Sequence, residues 1–521
     1  MPTISIPMRT LAACAALLIL GGCASTPGAG AGPSSASAAS AADSARLAGA
    51  LNRVSWGVSQ STWRQAEKAG YNAWLESQLH PAPAPLPAAA QAQIDAMTIT
   101  SKPLARLVQD LDQQRKDGDK IAVDDDKKAA QQAYQQELNR VAKEAAARSL
   151  LRDLYSPNQL QEQMTWFWMN HFSVHQGKSN LRALVGDYEE TAVRPHALGK
   201  FRDLLAATLR HPAMIRYLDN EQNAVNRINE NYARELMELH TLGVDGGYSQ
   251  RDVQELARIL TGVGVNMGAN EPKVKKELQA QYLRQGLFEF NPNRHDYGAK
   301  EFLGQAVKAR GLAEVDEAID RLSRHPATAR FISRKLAVYF VADEPPPALV
   351  QRMAATFADS DGDIAAVLRT MFTSTEFTQS LGRKFKDPVH YVVSAVRLTY
   401  DDKVVLNTGP MLSWLNRMAQ PLYGRQTPDG YPLTQSGWAS PGQMTTRFEI
   451  AKAIGSGNAG LFKTEGPQPK ERAAFPQLAS ALYYQSLQNT LSQPTRQVLD
   501  QATSLQEWNT FLLSSPELMH R

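Results

Sequence analysis

The sequence predicts an all-α fold, with many helices packed into one large body and a small β hairpin near residues 263–290. Apolar residues recur three and four positions apart over most of the chain, as at Leu47, Leu51 and Val54, and this is the spacing of one helical face. Within 263–290 apolar residues alternate with others, which is typical of strands. No long linker interrupts residues 46–521, so we expect these residues to form a single domain.

Residues 1–22 have the features of a signal peptide. Arg9 precedes the apolar run Leu11–Leu20, which is too short to span a membrane as a mature helix. The run leads into Gly21, Gly22 and Cys23, which resembles a bacterial lipobox, where the cysteine becomes the lipidated first residue. We expect a membrane anchor on Cys23 and, because no aspartate follows it, an outer-membrane lipoprotein in the envelope of a Gram-negative bacterium. An ordinary secretory signal with a chance cysteine is the alternative.

Two segments outside the main body are also predicted. Residues 23–45 are rich in Ala, Ser, Gly and Pro, a composition that predicts a flexible tether. In residues 104–155 the spacing of apolar residues predicts two long helices joined by the polar loop 116–128. This charged helical hairpin is more polar than its neighbours, and we expect it to protrude from the domain.

Charge and cysteine content exclude several functions. Residues 1–22 contain one Arg and no acid, so the mature chain has 55 Lys and Arg against 52 Asp and Glu. This near-balance predicts no nucleic-acid partner. The second cysteine, Cys14, would be removed with the signal peptide, which excludes thiol nucleophiles, thiolate-bound zinc and iron–sulfur clusters.

The densest polar cluster that still has a helical apolar stripe is Asn229–Gly243. On an ideal helix Asn231, Glu235 and Glu238 fall together on one side, away from the apolar stripe. Such a row of carboxylates either presents acids to a site or forms a solvated edge. The structural alternative is an ion-pair ladder in which Arg234 pairs with acids four residues before and after it.

Histidines supply the other candidates for chemistry. His171, which follows Asn170, lies four residues before His175, a spacing that can hold a metal on a helix, but the glutamate of a zinc-protease motif is absent. A buried, hydrogen-bonded core histidine is the alternative for His171. His196 lies in an Arg-Pro-His turn, and His295-Asp296 lies in a polar loop, where functional residues are common.

Taken together, these stretches resemble the bacterial family called domain of unknown function 1800, over about residues 47–521. The resemblance is carried by ALNRVSWG from Ala50, FWMNHFSV from Phe167, RPHALGKFRDLL from Arg194, YLDNEQN from Tyr217, NENYARELMELHTLGV from Asn229 and HDYGAKEFLG from His295. It implies a mostly helical envelope protein and does not imply a reaction. Members often accompany a second exported family, domain of unknown function 1501, which suggests a protein partner.

Two functional hypotheses follow. The first is a metal-assisted hydrolase acting on an envelope or extracellular polymer, in which a bound divalent metal ion activates water. Its residues would be His171, Glu235, His295 and Asp296 as metal ligands, Glu235, Glu238 and His171 as catalytic groups, and Asn231, His196, Arg234 and Asn170 as supporting or substrate-binding groups. The second is a non-catalytic scaffold or export partner, in which the same side chains form a buried network. Convergence of the proposed ligands in one cleft would favour the first hypothesis.

Overall fold

Helices form most of the computed structural model, which describes residues 35–401, 403–463 and 475–521. The helices of the first half are α1 Ser35–Val54, α2 Gln60–Ala69, α3 Tyr71–Leu79, α4 Ala88–Asp95, α5 Thr98–Ser101, α6 Leu104–Asp119, α7 Asp124–Tyr155, α8 Gln159–His171, α9 Val185–Asp187, α10 Phe201–Arg210, α11 Pro212–Tyr217, α12 Asn231–Glu235 and α13 Gln250–Ile259. Those of the second half are α14 Leu312–Arg324, α15 Pro326–Phe340, α16 Pro347–Asp359, α17 Ile364–Phe372, α18 Thr375–Ser380, α19 Pro388–Tyr400, α20 Gly409–Arg417, α21 Pro441–Gly455, α22 Gln493–Asp500 and α23 Leu505–Leu513. The predicted helical fold is therefore confirmed.

Short strands and tighter or wider helical turns complete the structure. In the described part of the chain, five strands form two small sheets: β1 Val263–Val265, β2 Leu283–Gln285 and β3 Phe288–Phe290 in one, and β4 Glu301–Phe302 and β5 Gln305–Ala306 in the other. In the larger sheet β3 lies between β1 and β2 and is antiparallel to both, with Val263 opposite Phe290. The predicted pairing near 263–290 is present, and β2 adds a third strand to it.

Among the described residues, the α-helical pattern is interrupted by three π-helical turns, each of five or six residues. They are Tyr188–Val193, Leu236–Thr241 and Tyr483–Leu487. Single π turns inside helical segments are uncommon and are often found at functional sites. The second turn continues α12 within the central polar motif, so this motif is not an ideal α-helix.

The N-terminal part of the chain differs from the prediction in one respect. The predicted signal peptide, Cys23 and the first part of the tether lie outside the described residues, but α1 begins at Ser35, inside the segment predicted to be flexible. This part of α1 is rich in alanine, the strongest helix former, which explains why a helix starts here. Among the described residues, no helix has both the length and the apolar character needed to cross a membrane.

The charged hairpin at 104–155 consists of α6 and α7, which pack against each other. The helices are longer than predicted, because Asp124, Asp125 and Asp126 form the first turn of α7, where acids favourably meet the positive end of the helix dipole. The second half of α7 contacts α8, α19 and α20, and Val141 and Leu150 in it are fully buried. In α6, Leu107, Val108 and Leu111 are also buried in the core, so only the polar tip of the hairpin, about residues 112–137, stands away from it.

Candidate functional site

The central motif folds as α12 followed by the π turn Leu236–Thr241. It ends where Gly243 takes a φ of +82°, and a Cβ atom there would meet the Phe331 ring at 2.9 Å. The ion-pair ladder is present, because Arg234 lies 3.1 Å from Glu230 and 3.5 Å from Glu238. These pairs are partly exposed, so each contributes less than about 1 kcal/mol.

His171, at the end of α8, is buried and both of its ring nitrogens have partners. Its Nε2 donates to the backbone oxygen of His240 at 3.0 Å, and its Nδ1 accepts from Lys335 Nζ at 2.9 Å. Burial and the nearby ammonium lower the pKa of His171 well below its usual value, so the ring is neutral. With its lone pair directed at Lys335, the imidazole is not available to a metal ion.

His295 and Asp296 lie in a different part of the molecule, between β3 and β4. His295 is buried, with Nδ1 2.8 Å from the Thr261 carbonyl oxygen and Nε2 3.3 Å from the Glu314 carboxylate. Lys300 also pairs with Glu314, at 2.8 Å. Asp296 is paired with Arg258 at 2.7 Å. These contacts fix the loop: Asp296 is paired with Arg258, and the buried Nε2 of His295 has no hydrogen bond among the described residues but faces the Glu314 carboxylate.

Three of the four predicted metal ligands, His171, His295 and Asp296, thus have separate local partners. In the described part of the chain, no group of three or more His, Cys, Asp and Glu side chains could hold a metal ion. The reason is local: His171 points into the aromatic core, whereas the loop of His295 is closed by its own ion pairs. The convergence that the metal hypothesis requires is therefore not found among these residues.

The remaining predicted residues have diverse surroundings. Asn231 is exposed and donates to the Leu218 carbonyl oxygen at 3.1 Å, and His196 is partly exposed without a side-chain hydrogen bond in the described structure. Glu235 is partly buried, and burial, with Glu238 close by, raises its pKa. Lys335, which the sequence reasoning missed, has its pKa lowered to about 8 by burial. Asp429 acts electrostatically on both Glu235 and Lys335, so these groups share one neighbourhood.

Asn170 clamps a loop distant in sequence. Its Oδ1 accepts from the Tyr431 amide at 2.6 Å, and its Nδ2 donates to the Tyr431 carbonyl oxygen at 3.0 Å. The preceding Gly430 has a φ of +79°, and a Cβ atom there would collide with the Asn170 backbone oxygen. The predicted supporting role of Asn170 is therefore a structural one in this geometry, because it fixes the loop beside the central motif.

Gly430→Ala is expected to lower the free energy of unfolding by about 3 kcal/mol, because it adds both a steric clash and a strained backbone. Gly442→Ala is the matched control, because Gly442 lies in α21 with open space around it. That change is expected to be neutral or to stabilise by at most about 1 kcal/mol. Chemical denaturation of both variants measures the difference, and equal stabilities would contradict the proposed clamp.

An open groove of about 880 Å³ lies between α7, the segment 175–182 and α20. The residues that line it are Asn139, Ala142, Lys143, Ala146, His175, Gln176, Gly177, Arg182, Gly409, Leu412, Ser413, Asn416, Arg417, Pro421 and Leu422. On α7 the lining residues are three, four and seven positions apart, so they share one face, and the small Ala142 and Ala146 leave the room between them.

The groove is positively charged. Lys143, Arg182 and Arg417 line it, and no Asp or Glu is among the described residues of its wall. Arg182 is held at 2.7 Å and 2.6 Å by the side-chain oxygens of Asn139 and Gln135, which are neutral, so its charge is not compensated by that pairing. Arg417, the third basic residue of the wall, pairs with Glu449, which lies outside the wall.

His175 adds a polar group to the same groove. Gln176 fixes the backbone beside it, with its amide donating to the Tyr423 carbonyl oxygen at 2.9 Å. The His175 Nδ1 is buried and has no hydrogen-bond partner in the described structure. A buried ring nitrogen without a partner is costly, and a polar ligand in the groove would relieve that cost.

The sequence reasoning did not identify this groove. Its walls come from three segments more than two hundred residues apart at the extremes, which no local pattern connects. The one local signal was the small Ala142 and Ala146 on the face that also carries Asn139 and Lys143.

Fold and groove together define a large, predominantly helical protein with a basic ligand-sized groove. The chain belongs to the family described as Protein of unknown function (DUF1800), whose profile matches residues 49–520. The membership predicted from the motifs is therefore confirmed over nearly the whole chain. No curated protein and no solved structure matches the chain.

Proposed function

We propose that this protein is a lipid-anchored envelope protein that binds an anionic polymer, one bearing carboxylate or phosphate groups, in the groove between α7 and α20. The observation that carries the proposal is the wall of the groove, which contains Lys143, Arg182 and Arg417 but no carboxylate among the described residues. Cations on a concave surface attract anionic ligands and strengthen one another's field.

The shape of the groove favours a chain-like ligand. It is open along one side and, at about 880 Å³, lies at the upper end of the range of small-molecule sites. Exposed amides and hydroxyls, including Asn416 and Ser413, stand between the cations and suit the hydroxyl groups of a polysaccharide. Anchoring at Cys23 and an outer-membrane location, both expected from the N-terminal sequence, would hold the groove where such polymers occur.

This proposal keeps the envelope polymer of the first hypothesis and the non-catalytic mode of action of the second. The separate, locally paired positions of His171, His295 and Asp296 support a structural role for them. A partner from the family called domain of unknown function 1501 stays a prediction.

The test is binding of the full-length protein in detergent to polygalacturonate, with neutral dextran as the reference polymer. The triple variant Lys143→Gln, Arg182→Gln, Arg417→Gln is expected to weaken binding about tenfold or more, because each exposed charge contributes about 0.5–1 kcal/mol and 1.4 kcal/mol is a factor of ten. High salt is expected to weaken binding of the unmodified protein in the same way.

The charge-matched control is Lys116→Gln, Lys120→Gln, Lys128→Gln. These exposed lysines lie on the α6–α7 hairpin outside the groove. Their substitution removes the same net charge as the groove variant. This control is expected to bind polygalacturonate almost as well as the unmodified protein. Equal losses in the two triple variants, or equal affinity for dextran, would show that the groove is not the binding site.

A further inference from the structure

A second, smaller cavity shares no lining residue with the groove and is more apolar. It has a volume of about 110 Å³ and is bounded by α1, α19, α23 and the C-terminal segment. Most of its wall is apolar, with Val58, Leu398, Leu487, Leu513 and Leu518. Polar side chains also line it, among them Lys386 and Ser394, and neither of these two belongs to the residues singled out from the sequence.

Lys386 and Ser394 are in direct contact. The Nζ of Lys386 lies 3.0 Å from Ser394 Oγ, and the two residues are only 4% and 7% exposed. Ser394 Oγ also lies 3.2 Å from the Tyr391 carbonyl oxygen, one turn earlier in α19. The backbone of Gly57 packs against the Ser394 side chain so closely that a Cβ atom could not be accommodated there. This packing fixes the position of the serine.

Lys386 is buried without a carboxylate partner among the described residues. The carboxylate of the adjacent Asp387 is paired with His390. It lies 2.9 Å from His390 Nδ1 and accepts from the His390 backbone amide at 2.9 Å. Glu517, which also lines the cavity, accepts from the Ser492 amide at 2.8 Å. His520 also lines the wall, and its Nδ1 lies 2.8 Å from the Pro516 carbonyl oxygen.

Cations rather than acids surround the amine. Burial, with Arg447 and Arg521 nearby, lowers the pKa of Lys386 to about 7. A lysine almost never occupies such a position unless it is paired or its neutral form is used. An uncharged amine within hydrogen-bond distance of a serine hydroxyl, at the wall of an apolar cavity, is the arrangement of a nucleophile and its base.

We propose that Ser394 and Lys386 form a serine–lysine dyad that hydrolyses esters of short acyl groups. A cavity of about 110 Å³ is smaller than the roughly 150 Å³ that accommodates benzene, so an acetyl or propionyl group fits and a long acyl chain does not. The apolar wall would hold the acyl group, and the alcohol portion of the ester would extend towards the mouth.

The reaction follows from the contact between the two groups. Ser394 Oγ bonds to the ester carbonyl carbon while its proton passes to Lys386 Nζ. The bond from that carbon to the alcohol oxygen then breaks, and Lys386 returns the proton to the departing alcohol. A water molecule then attacks the acyl carbon and gives a proton to Lys386 Nζ. The bond from that carbon to Ser394 Oγ breaks, and Lys386 returns the proton to Ser394 Oγ. Ester and water are thus converted to carboxylic acid and alcohol, with no net change at either residue.

The test uses the full-length protein in detergent with p-nitrophenyl acetate and p-nitrophenyl octanoate. Hydrolysis of the acetate above the buffer rate is expected, with little hydrolysis of the octanoate. Ser394→Ala and Lys386→Met are each expected to lower kcat at least about 100-fold, the lower limit for loss of general-base catalysis. Ser436→Ala, an exposed serine outside the cavity, is the control and is expected to leave the rate unchanged.

Two further measurements separate catalysis from folding. A fluorophosphonate probe is expected to label Ser394 of the unmodified protein, as located by peptide mass spectrometry, and this result requires no variant. The rate is expected to rise with pH across neutrality as Lys386 loses its proton, a rise that Lys386→Arg should abolish because arginine stays protonated. No acetate hydrolysis above buffer, or a fluorophosphonate adduct at other serines but not at Ser394, would overturn the proposal. Because the groove and this cavity share no lining residue, loss of polymer binding and loss of esterase activity are separate outcomes.

Discussion

Acidification from pH 7 to about pH 4.5 is expected to remove most of the stability of this protein. The cause is three histidines that the fold buries in the neutral form: His171, His240 and His390, each at most 2% exposed. Burial lowers the pKa of His240 to about 3 and that of His390 to about 4, and it lowers the pKa of His171 well below its usual value. All three can take up a proton easily only after unfolding.

The direction of the effect follows from the two states. In the unfolded chain a histidine has a pKa of about 6.5, so between that pH and the folded pKa the unfolded state binds more protons. The stability contributed by each neutral imidazole is present above pH 6.5 and is lost as the pH falls towards 4 or 3. At about pH 4.5 the loss is roughly 3 kcal/mol for each of His240 and His390, and His171 adds a loss in the same direction, compared with a typical total of 5–15 kcal/mol.

Other buried acids modify this result without reversing it. Asp387, held by His390, has a pKa of about 2, so its stabilising contribution is lost only below about pH 4, outside the range tested. Asp153 and Glu189 have their pKa raised by burial, so they act in the opposite direction. We expect the histidines to dominate, because in the unfolded chain they take up their protons near pH 6.5, within the range tested, whereas in the folded protein the pKa values of His240 and His390 lie below it.

Urea unfolding followed by circular dichroism at pH 7 and at about pH 4.5 measures the loss. His240→Phe is the informative variant, because its ring packs against Phe172 with centroids 5.0 Å apart and its Nε2 has no hydrogen-bond partner in the described structure. The variant should keep its stability at pH 7 and lose about 3 kcal/mol less on acidification. His80→Gln, at an exposed position, is the control and should follow the unmodified protein. Identical acid sensitivity in all three proteins would refute the assignment.

The helical fold was predictable because the signal is local. The repeat of Leu47, Leu51 and Val54 is decided by the neighbours of each residue along one helix; Leu51 and Val54 are fully buried, and Leu47 is partly buried against the same core. The same applies to β1 and β3, where the change of period marks the strands. Local patterns specify which side of an element is buried, and this is sufficient to identify the fold class.

Side-chain partners were less predictable because they depend on helix ends and on wider turns. The spacing of His171 and His175 indicates a shared face only if the helix continues, but α8 ends at His171, so His175 lies instead in the groove. In the central motif, the π turn from Leu236 changes the rotation per residue and invalidates positions read from an ideal helix. Within the turn itself, the Thr241 hydroxyl donates to the Leu236 carbonyl oxygen at 2.7 Å, a local bond that accompanies the wider turn.

Arg194→Met is expected to lower the free energy of unfolding by about 3–5 kcal/mol, the usual cost of removing one partner from a buried ion pair. Arg194 is 7% exposed and pairs with two buried carboxylates, Glu162 and Glu189, the latter at 3.0 Å. The sequence drew attention to its neighbour His196, yet the structure places the arginine at the centre of the charged network. Urea unfolding at pH 7 measures the loss.

The matched control is Arg234→Met, which removes an arginine that also pairs with two acids, Glu230 and Glu238, but at a partly exposed site. Its expected effect is below about 1 kcal/mol, because solvent screens those pairs. Equal losses at the two arginines would show that burial is not the deciding factor.

Burial also predicts how the Arg194 variant can be rescued. Arg194 and Glu189 are paired, yet burial lowers the pKa of Arg194 to about 9 and raises that of Glu189. The free-energy cost of removing these charges from water therefore exceeds the attraction between them. The damage in Arg194→Met therefore comes mainly from the carboxylates left without a partner, rather than from the loss of a strongly favourable contact. Adding Glu162→Gln and Glu189→Gln to Arg194→Met should recover more than half of the lost stability, because a neutral amide is less costly to bury than an unpaired carboxylate. If the triple variant is instead less stable than Arg194→Met, the ion pairs themselves are the main source of stability at this position.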